Sequence, residues 1–172
     1  MHTVAMKWIP TADLCDAHEA LFSKGLLFII PPVFQNYGGG DRMMGEVFTL
    51  RCFEDNGLLI KILEQPGQGR VLMVDAGGSD RCALVGDNLG SMAEKNGWSG
   101  LVLNGCVRDV QELSELSIPV WAMASNPRRG TKQGAGEQQQ PVDIAGVLVF
   151  PGNWCYADDD GVIVARQSLH KA

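Results

Sequence analysis

VGDNLGSMAEKNGWSGLVLNGCVRDV, residues 85–110, is the segment around which we expect the rest of the chain to be organised. It begins with a Gly-Asp-Asn-Leu turn that leads into a short helix, continues as an apolar strand, and ends at the adjacent pair Arg108-Asp109. If the helix and the strand pack together as a βαβ unit, the start of the helix and the end of the strand lie at the same edge of a sheet. We therefore expect the turn and the Arg-Asp pair to lie close together.

The polar groups at this edge suit a small acid and a metal ion. The turn at residues 86–89 offers backbone N–H groups at a helix N-terminus, which attract an anion. Arg108 offers a planar fork of donors, and Asp109 offers the hard oxygen ligand that a divalent cation prefers. A small oxo-acid with magnesium would fit such a site. Two structural interpretations stay open: Asp87 as an ordinary N-cap, and Arg108-Asp109 as a salt bridge at the end of a strand.

The composition indicates one domain, residues 1–172, in the cytoplasm. A chain of 172 residues with 45% hydrophobic composition is long enough for one core and short for two. Its net charge of −6 argues against non-specific binding to nucleic acid, which needs a basic surface. The five cysteines, an odd number with no CxxC pair, are typical of reduced thiols in a cytosolic protein. We recognise neither a signal peptide nor a membrane-spanning run.

The segments before the central stretch begin with a helix and a strand. We expect the helix at residues 11–20, with Thr11 or Asp13 as its N-cap. The strand is expected at residues 44–53, where polar and apolar residues roughly alternate. Its outward side chains would be Glu46, Thr49 and Arg51, whereas Val47, Leu50 and Phe53 would face inward or lie at the edge.

A second helix and a buried strand follow. Residues 56–65 are amphipathic at helical spacing, with Leu59, Ile62 and Leu63 on one side. Residues 70–76, RVLMVDA, form a short continuous apolar run bounded by glycines. Such a run is typical of a strand that is buried on both faces.

The last third of the chain is rich in predicted strands. The elements expected there are helical turns at residues 110–116 and strands at 118–124, 142–150 and 161–166. Asp158-Asp159-Asp160-Gly161 is expected to be a hairpin turn rather than a metal cluster. Residues 126–140 form a long loop, in which Arg128, Arg129 and Lys132 either close over a dianionic substrate or are simply solvated. Together the elements favour α/β layers with a mixed sheet.

Four blocks of sequence carry a resemblance to a known family. They are CFEDNGLL at residues 52–59, GRVLMVDAGGSDRCALVGDNL at 69–89, NGWSGLVLNGCVRDV at 96–110 and YADDDGVIV at 156–164. In this order they resemble the family of the regulator of ribonuclease activity A and the divalent-metal-dependent 4-hydroxy-4-methyl-2-oxoglutarate aldolases. The aldolases of that family resemble one another in an Asp followed, after twenty residues, by Arg-Asp. Asp87 is followed by twenty residues and then by Arg108-Asp109, so the chain is similar to the catalytic branch.

The resemblance implies a fold, an assembly and an activity. The fold is a β/β/α three-layer domain of the swivelling type, with a mixed sheet around a central βαβ unit. The assembly is a homotrimer, with or without pairing of trimers, whose active sites lie near subunit boundaries. The activity is that of a lyase, a class II aldolase that uses Mg²⁺ or Mn²⁺ to cleave 4-hydroxy-4-methyl-2-oxoglutarate or a related 4-hydroxy-2-oxo diacid to pyruvate. Oxaloacetate decarboxylation is expected as a side activity, because both reactions pass through the pyruvate enolate. The partner would be a small 2-oxo acid, not nucleic acid or a membrane.

The same resemblance suggests a role for each residue of the site. Asp109 would bind the metal, and Arg108 would contact the C2 oxygen of the substrate. Asp87 would orient a water molecule at the metal, which would act as acid or base. The substrate-binding residues would be Gly86, Asp87, Asn88, Leu89 and Arg108.

Two other activities are found among relatives of this family. The regulators inhibit a ribonuclease of the ribonuclease E type by binding it, and they lack the metal-binding aspartate. Inhibition of such a ribonuclease is the alternative function that the resemblance implies for this chain. Family members have also been called demethylmenaquinone methyltransferases. We discount that activity because no G-x-G-x-x-G loop follows a strand in this sequence.

Overall fold

The computed structural model describes residues 6–170 and contains both helices and strands. The helices within this range are α1 (Thr11–Ala17), α2 (Ala20–Ser23), α3 (Gly57–Leu63), α4 (Asp87–Lys95) and α5 (Val110–Ser114). The strands are β1 (Leu27–Ile29), β2 (Gln35–Asn36), β3 (Met43–Arg51), β4 (Val71–Asp75), β5 (Ala83–Val85), β6 (Gly100–Val107), β7 (Val120–Ser125), β8 (Glu137–Gln138), β9 (Val142–Ile144), β10 (Val147–Val149), β11 (Trp154–Asp158) and β12 (Gly161–Ala165).

One large mixed sheet forms the centre of the molecule. Its strands follow the order β1-β12-β11-β3-β4-β6-β7-β2, with β5 paired to β6 and β8 paired to β3. The neighbours β3, β4, β6 and β7 run parallel, whereas β11, β12 and β1 pair antiparallel on one side and β2 on the other. The predicted mixed α/β fold is confirmed.

The two faces of the parallel strands pack against different layers. In β4, Leu72 and Val74 lie in a core cluster that includes buried side chains of α3, α4 and α5. Val71 and Met73, on the opposite face, pack in a cluster with side chains of β9, β10, β11 and β12. Helices therefore cover one face and a second layer of strands covers the other, which gives the expected β/β/α arrangement. Continuous apolar runs are the natural sequence for strands between two such layers.

The βαβ unit predicted from residues 85–110 is present. β5 pairs in parallel with β6, and α4 connects them. Leu89 and Ala93 are buried on the side of α4 that faces the core. The start of α4 and the end of β6 consequently lie at the same edge of the sheet.

The predicted helix at residues 11–20 is instead two shorter helices, α1 and α2. The chain leaves the helical conformation at His18, whose φ is −124°. The prediction of Thr11 or Asp13 as N-cap is also wrong, because the N-cap is Pro10 and makes no side-chain cap. Thr11 instead donates its backbone N–H and its hydroxyl to Asp158, at 2.8 and 2.6 Å, which ties α1 to the end of β11.

The predicted faces of β3 are partly wrong. Thr49, expected to point outward, is fully buried, and its hydroxyl donates to the carbonyl of Gln140 at 2.6 Å. Phe53, expected to face inward or lie at the edge, is 57% exposed and lies beyond the end of the strand at Arg51. A strand that is covered on both faces has no face exposed to solvent. Alternation of polar and apolar residues therefore does not indicate which of its side chains are buried.

The predicted strand at residues 142–150 is a hairpin of β9 and β10, paired as a separate two-stranded sheet. Ala145 and Gly146 form the turn, with φ angles of 51° and 88°, and Asp143 accepts the N–H of Gly146 at 2.8 Å. Because residues 142–150 are mostly apolar, the sequence does not indicate this turn. No strand was predicted at the position of β11. The hairpin turn between β11 and β12 nevertheless lies where it was predicted.

Within residues 6–170, none of the helices is long and apolar enough to cross a membrane.

Candidate active site

The central βαβ unit brings the turn and the Arg-Asp pair together. Gly86 follows β5 in an extended conformation, and α4 begins at Asp87. The backbone N–H of Arg108 donates to the carbonyl of Val85 at 2.9 Å, which joins the end of β6 to the end of β5. As a result, the carboxylate Oδ2 of Asp109 lies 3.3 Å from the backbone nitrogen of Asp87 and accepts its hydrogen bond.

Asp109 reaches this position through an unusual backbone conformation. Its φ and ψ are 56° and 46°, in the left-handed region, where it serves as the residue before α5. A residue other than glycine in this region costs of order 1–3 kcal/mol, and aspartate is one of the few that visit it. Such a conformation directs the carboxylate back toward the turn. Strain of this kind is concentrated at functional sites.

Gly86 provides the space for this carboxylate. A Cβ atom built on Gly86 would overlap Oδ2 of Asp109 and crowd the side chain of Arg108. The glycine at this position is therefore required by close approach and not by its own backbone angles, which are those of an ordinary extended residue.

Arg108 and Asp109 are neighbours but not a tight pair. The Nε atom of Arg108 lies 3.9 Å from Oδ2 of Asp109, and the two side chains are 40% and 38% exposed. An ion pair of this length and exposure contributes little to stability. Both groups are available to a ligand.

The N-terminus of α4 does not have the cap that the alternative interpretation expected. Asp87 is the first helical residue and not the N-cap, and its Oδ1 accepts the N–H of Asn88 at 2.8 Å. Two of the amides expected to bind the substrate therefore already hold carboxylate oxygens of Asp87 and Asp109. The N–H of Leu89 makes no hydrogen bond within residues 6–170. This edge attracts carboxylates, as a helix N-terminus should.

A small cavity of about 90 Å³ opens at this edge. The six residues predicted for the site all line this cavity. Six further residues come from β5, the start of α3 and the long loop. The lining residues are Asn56, Ile60, Ala83, Leu84, Gly86, Asp87, Asn88, Leu89, Arg108, Asp109, Arg129 and Lys132. Two of the three basic residues of the loop thus face the same cavity as Asp109, whereas Arg128 lines a neighbouring one with Glu54 and Arg81.

Asn56 contributes a buried amide to the wall of the cavity. Its Nδ2 donates to the carbonyl of Leu84 at 3.1 Å, which fixes the orientation of the side chain. Its Oδ1 is buried and accepts no hydrogen bond from residues 6–170. A buried acceptor without a partner costs about 1–3 kcal/mol, a cost most often found where a ligand or an ordered water completes a site. Sequence reasoning assigned Asn56 only to a helix.

The match to a family model extends over most of the chain. The model, described as RraA-like, Aldolase/RraA, matches residues 11–164. The chain belongs to the RraA-like family. The family predicted from the four sequence blocks is confirmed, and the matched range includes the turn at residues 86–89 and the Arg108-Asp109 pair.

Relatives of this RraA-like chain carry different names. A protein of Burkholderia mallei (strain SAVP1), named "Putative 4-hydroxy-4-methyl-2-oxoglutarate aldolase", is 55% identical over 159 residues, which are 92% of this chain and 96% of that protein. A structure of the RNA-processing inhibitor RraA from Thermus thermophilis has 42% identity and a TM-score of 0.86, and covers 94% of each chain. A structure of S-adenosylmethionine: 2-dimethylmenaquinone methyltransferase from Geobacillus kaustophilus HTA426 has 38% identity and a TM-score of 0.87, over 94% of this chain and 97% of the other. Since one family carries three such names, function has to be argued from the site.

The donor set of this RraA-like site fits magnesium or manganese. Within residues 6–170, no group of three His, Cys, Asp or Glu side chains is placed to hold an ion alone. Magnesium does not need such a group, because it keeps several waters and is commonly bound through one or two carboxylates and the substrate. The carboxylate of Asp109 is partly exposed in the cavity, and its Oδ1 makes no hydrogen bond within the same residues. It is therefore free to bind a hydrated ion.

The other sequence features of this RraA-like chain do not join the site. Cys106 is buried, and burial raises the pKa of its thiol, with smaller contributions from nearby negative groups, so it is not an activated nucleophile. All five cysteines are free thiols. Asp158 accepts hydrogen bonds from Thr11 and from the N–H of Asp160, as in an ordinary turn.

Proposed function

We propose that this RraA-like chain is a divalent-metal-dependent aldolase, a lyase that cleaves 4-hydroxy-4-methyl-2-oxoglutarate or a related 4-hydroxy-2-oxo diacid to pyruvate. The observation that carries the proposal is the convergence of Asp109, Arg108 and the start of α4 on one small cavity. The name of the Burkholderia mallei relative at 55% identity supports the same reaction. We further propose that the protein decarboxylates oxaloacetate, since that reaction also leaves a pyruvate enolate.

The chemistry requires stabilisation of one developing charge. Cleavage of the bond between C3 and C4 leaves its electron pair on the three-carbon fragment, so negative charge collects on the C2 oxygen. The guanidinium of Arg108 is a fixed donor for that oxygen. Mg²⁺ or Mn²⁺ bound by Asp109 would add charge stabilisation of several kcal/mol. Asp87 would orient the water molecule that exchanges a proton with the substrate.

The cavity also offers groups for two carboxylates. The N-terminus of α4, with the free N–H of Leu89, suits the C1 carboxylate next to the keto group. Arg129 and Lys132, which line the same cavity, suit the second carboxylate of a diacid. Of the two interpretations of the basic loop, closure over a dianion is the one that this placement supports.

The proposal also includes the oligomeric state of the protein and its cellular compartment. We propose a homotrimer, as the family resemblance implies, and the exposed side chains of Ile29, Phe53 and Leu148 are the kind that subunit contacts cover. Sedimentation should then give three times the 18.6 kDa of one chain. Five free thiols suit the reducing cytoplasm in which we place the protein.

The test of the proposed reaction is pyruvate release. Purified protein is incubated with oxaloacetate and MgCl₂, and with 4-hydroxy-4-methyl-2-oxoglutarate and MgCl₂, and pyruvate is measured before and after addition of a chelator. We expect release from both substrates that stops with the chelator and returns with excess Mg²⁺. If neither substrate gives chelator-sensitive release of pyruvate, the proposal is refuted.

The alternative function is inhibition of a ribonuclease by binding to it. The observation in its favour is the 42% identity to a structure named as an RNA-processing inhibitor. The partly exposed Asp109 in a cavity argues for the enzyme, since a binding surface has no need of it. Binding to an RNase E-type ribonuclease, together with no turnover, would establish the alternative. A methyltransferase is the weakest interpretation, because no G-x-G-x-x-G loop of the kind that binds a nucleotide cofactor follows a strand in this sequence.

A further inference from the structure

Asp55 is a buried carboxylate that lies outside the cavity and binds the loop from which Arg129 and Lys132 reach the cavity. The residue is 3% exposed and precedes α3. Its Oδ1 accepts the N–H groups of Gly57 and Gly134 at 2.9 and 3.0 Å, and its Oδ2 accepts the hydroxyl of Thr131 at 2.8 Å and the N–H of Gln133 at 2.7 Å. Three of these four donors belong to the long loop. Because a carboxylate only accepts, its two oxygens match four donors.

The loop is held at the same place by backbone pairing. We call residues 128–134 the basic segment. Thr131 donates its N–H to the carbonyl of Glu54 at 2.8 Å, and its own carbonyl accepts the N–H of Asn56 at 2.9 Å. Gly130 donates to the carbonyl of Ala83 at 3.1 Å. The basic segment is therefore fixed against both β5 and the start of α3.

Close contact between α3 and the basic segment depends on a glycine. A Cβ atom on Gly57 would lie 2.5 Å from the backbone nitrogen of Gly134. The segment thus lies directly on the turn that begins at Asp55. Its side chains Arg129 and Lys132 line the cavity of Asp109, whereas Asp55 itself does not.

We propose that Asp55 is a positioning residue that holds the basic segment so that Arg129 and Lys132 meet the second carboxylate of a dianionic 2-oxo acid. This inference rests on the proposed function. Asp55 touches no substrate. It acts through the segment that it binds, and it makes the site selective for diacids over monocarboxylates.

The charge of Asp55 matters as well as its shape. Burial alone would raise the pKa of this carboxyl, but the hydrogen bonds from Gly57, Thr131, Gln133 and Gly134 outweigh it and lower the pKa. The carboxylate therefore stays ionised at neutral pH. In Asp55→Asn, the new NH₂ group would face N–H donors, so about two of the four hydrogen bonds would be lost at nearly unchanged volume.

The first experiment asks whether Asp55 holds the basic segment, and it does not depend on turnover. Trypsin cleaves after arginine and lysine, of which the segment has three: Arg128, Arg129 and Lys132. We expect Asp55→Asn to speed cleavage at these sites, identified by mass spectrometry, by about tenfold, which corresponds to the loss of one net hydrogen bond or more. Asp143→Asn is the matched control, because Asp143 binds the turn at Gly146 in the β9–β10 hairpin and does not contact the basic segment through a hydrogen bond. Equal cleavage rates in Asp55→Asn and the wild type would overturn the proposal.

The second experiment asks whether the segment serves the second carboxylate. Oxaloacetate has that carboxylate, and pyruvate, whose methyl protons exchange with D₂O through the same enolate, lacks it. We expect Asp55→Asn to raise KM for oxaloacetate by about tenfold, the loss of roughly one charge-assisted contact, while kcat and the KM for pyruvate exchange change by less than about threefold. Equal losses with both substrates would mean a general structural defect and would overturn the proposal.

A milder variant covers the case in which Asp55→Asn does not fold. Thr131→Val removes one of the four donors and should shift trypsin cleavage and the KM for oxaloacetate in the same directions by a smaller factor. If the wild type acts on neither substrate, the proposed function fails and the diacid role fails with it. The trypsin comparison then still shows whether Asp55 holds the segment.

Discussion

Asp109 combines a strained backbone with the carboxylate at the centre of the proposed site. Its left-handed conformation and its contact with the N–H of Asp87 both come from its position between the end of β6 and α5. Gly86 is the complementary residue, because it leaves the space that Oδ2 occupies. At the scale of single residues, the geometry of the proposed site thus depends on one tolerated strain and one missing Cβ atom.

Asp109→Asn should abolish catalysis without unfolding the protein. Asparagine tolerates the left-handed region as aspartate does, but its neutral oxygen is a poor ligand for Mg²⁺. We expect kcat/KM for oxaloacetate to fall by about 100-fold or more, with an unchanged far-UV circular dichroism spectrum. Asp143→Asn is the control and should keep wild-type activity. Activity within about twofold of the wild type in Asp109→Asn would remove Asp109 from the metal role.

Gly86→Ala should weaken the binding of the metal. The backbone of Gly86 suits alanine, but the added Cβ atom would displace Oδ2 of Asp109. We expect the Mn²⁺ dissociation constant, measured by electron paramagnetic resonance, to rise by about tenfold or more. An unchanged constant would show that the carboxylate does not need its present position.

The elements of the fold place the site and also carry strain far from it. The β9–β10 hairpin turns at Ala145, whose φ of 51° is unfavourable for a residue with a Cβ atom. The basic segment shows the opposite design, since buried hydrogen bonds to Asp55 fix a loop that has almost no regular structure. An element can therefore be held by its partners rather than by its own conformational preference.

Ala145→Gly should stabilise the protein. Release of the left-handed strain contributes roughly 1–2 kcal/mol, and the greater freedom of glycine in the unfolded chain offsets about 0.5–1 kcal/mol of it. We expect the free energy of unfolding in urea to rise by about 0.5–1 kcal/mol. Ala93→Gly, within α4 and buried, should lower it and serves as the opposite control. A loss of stability in Ala145→Gly would contradict the prediction.

The molecule as a whole encloses several thiols in its core. Burial raises the pKa of Cys155 from 9.0 to about 12. Burial, helped by the charges of Asp55 and Asp75, does the same for Cys52, whose pKa is also about 12. In the unfolded chain these thiols lose their protons above about pH 9, whereas in the folded protein they keep them up to about pH 12. Their contribution to stability is therefore fully present below pH 9 and is lost as the pH rises toward 12.

Stability should consequently fall in alkaline solution. Each such thiol changes the free energy of unfolding by up to about 1.4 kcal/mol per pH unit between its two pKa values. We expect Cys155→Ala to show a shallower decrease than the wild type when urea unfolding is measured between pH 8 and pH 10.5 under reducing conditions. Cys15→Ala, at a half-buried position, should change the slope less. Identical slopes for the wild type and Cys155→Ala would contradict this explanation.

Features that depend on a local pattern of residues could be predicted from the sequence. The apolar run of β4 predicts a strand covered on both faces, and the turn, helix and apolar strand of residues 85–110 predict a βαβ unit. From that unit alone follows the meeting of residues 86–89 with Arg108-Asp109, since strand and helix ends share one edge of a sheet. The structure places them together, and the spacing from Asp87 to Arg108 pointed to the family.

Features that depend on partners far apart in the chain became visible only in the folded structure. Thr49 is buried because a second layer covers β3, and its hydroxyl donates to the carbonyl of Gln140, which lies 91 positions later. Asp55 binds residues that follow it by 76 to 79 positions, so nothing near it in the chain reveals its partners. A local pattern reports the preference of a segment for helix, strand or turn. The burial of a polar group and the cost of strain are set by what packs against them, and that is fixed only when the whole chain has folded.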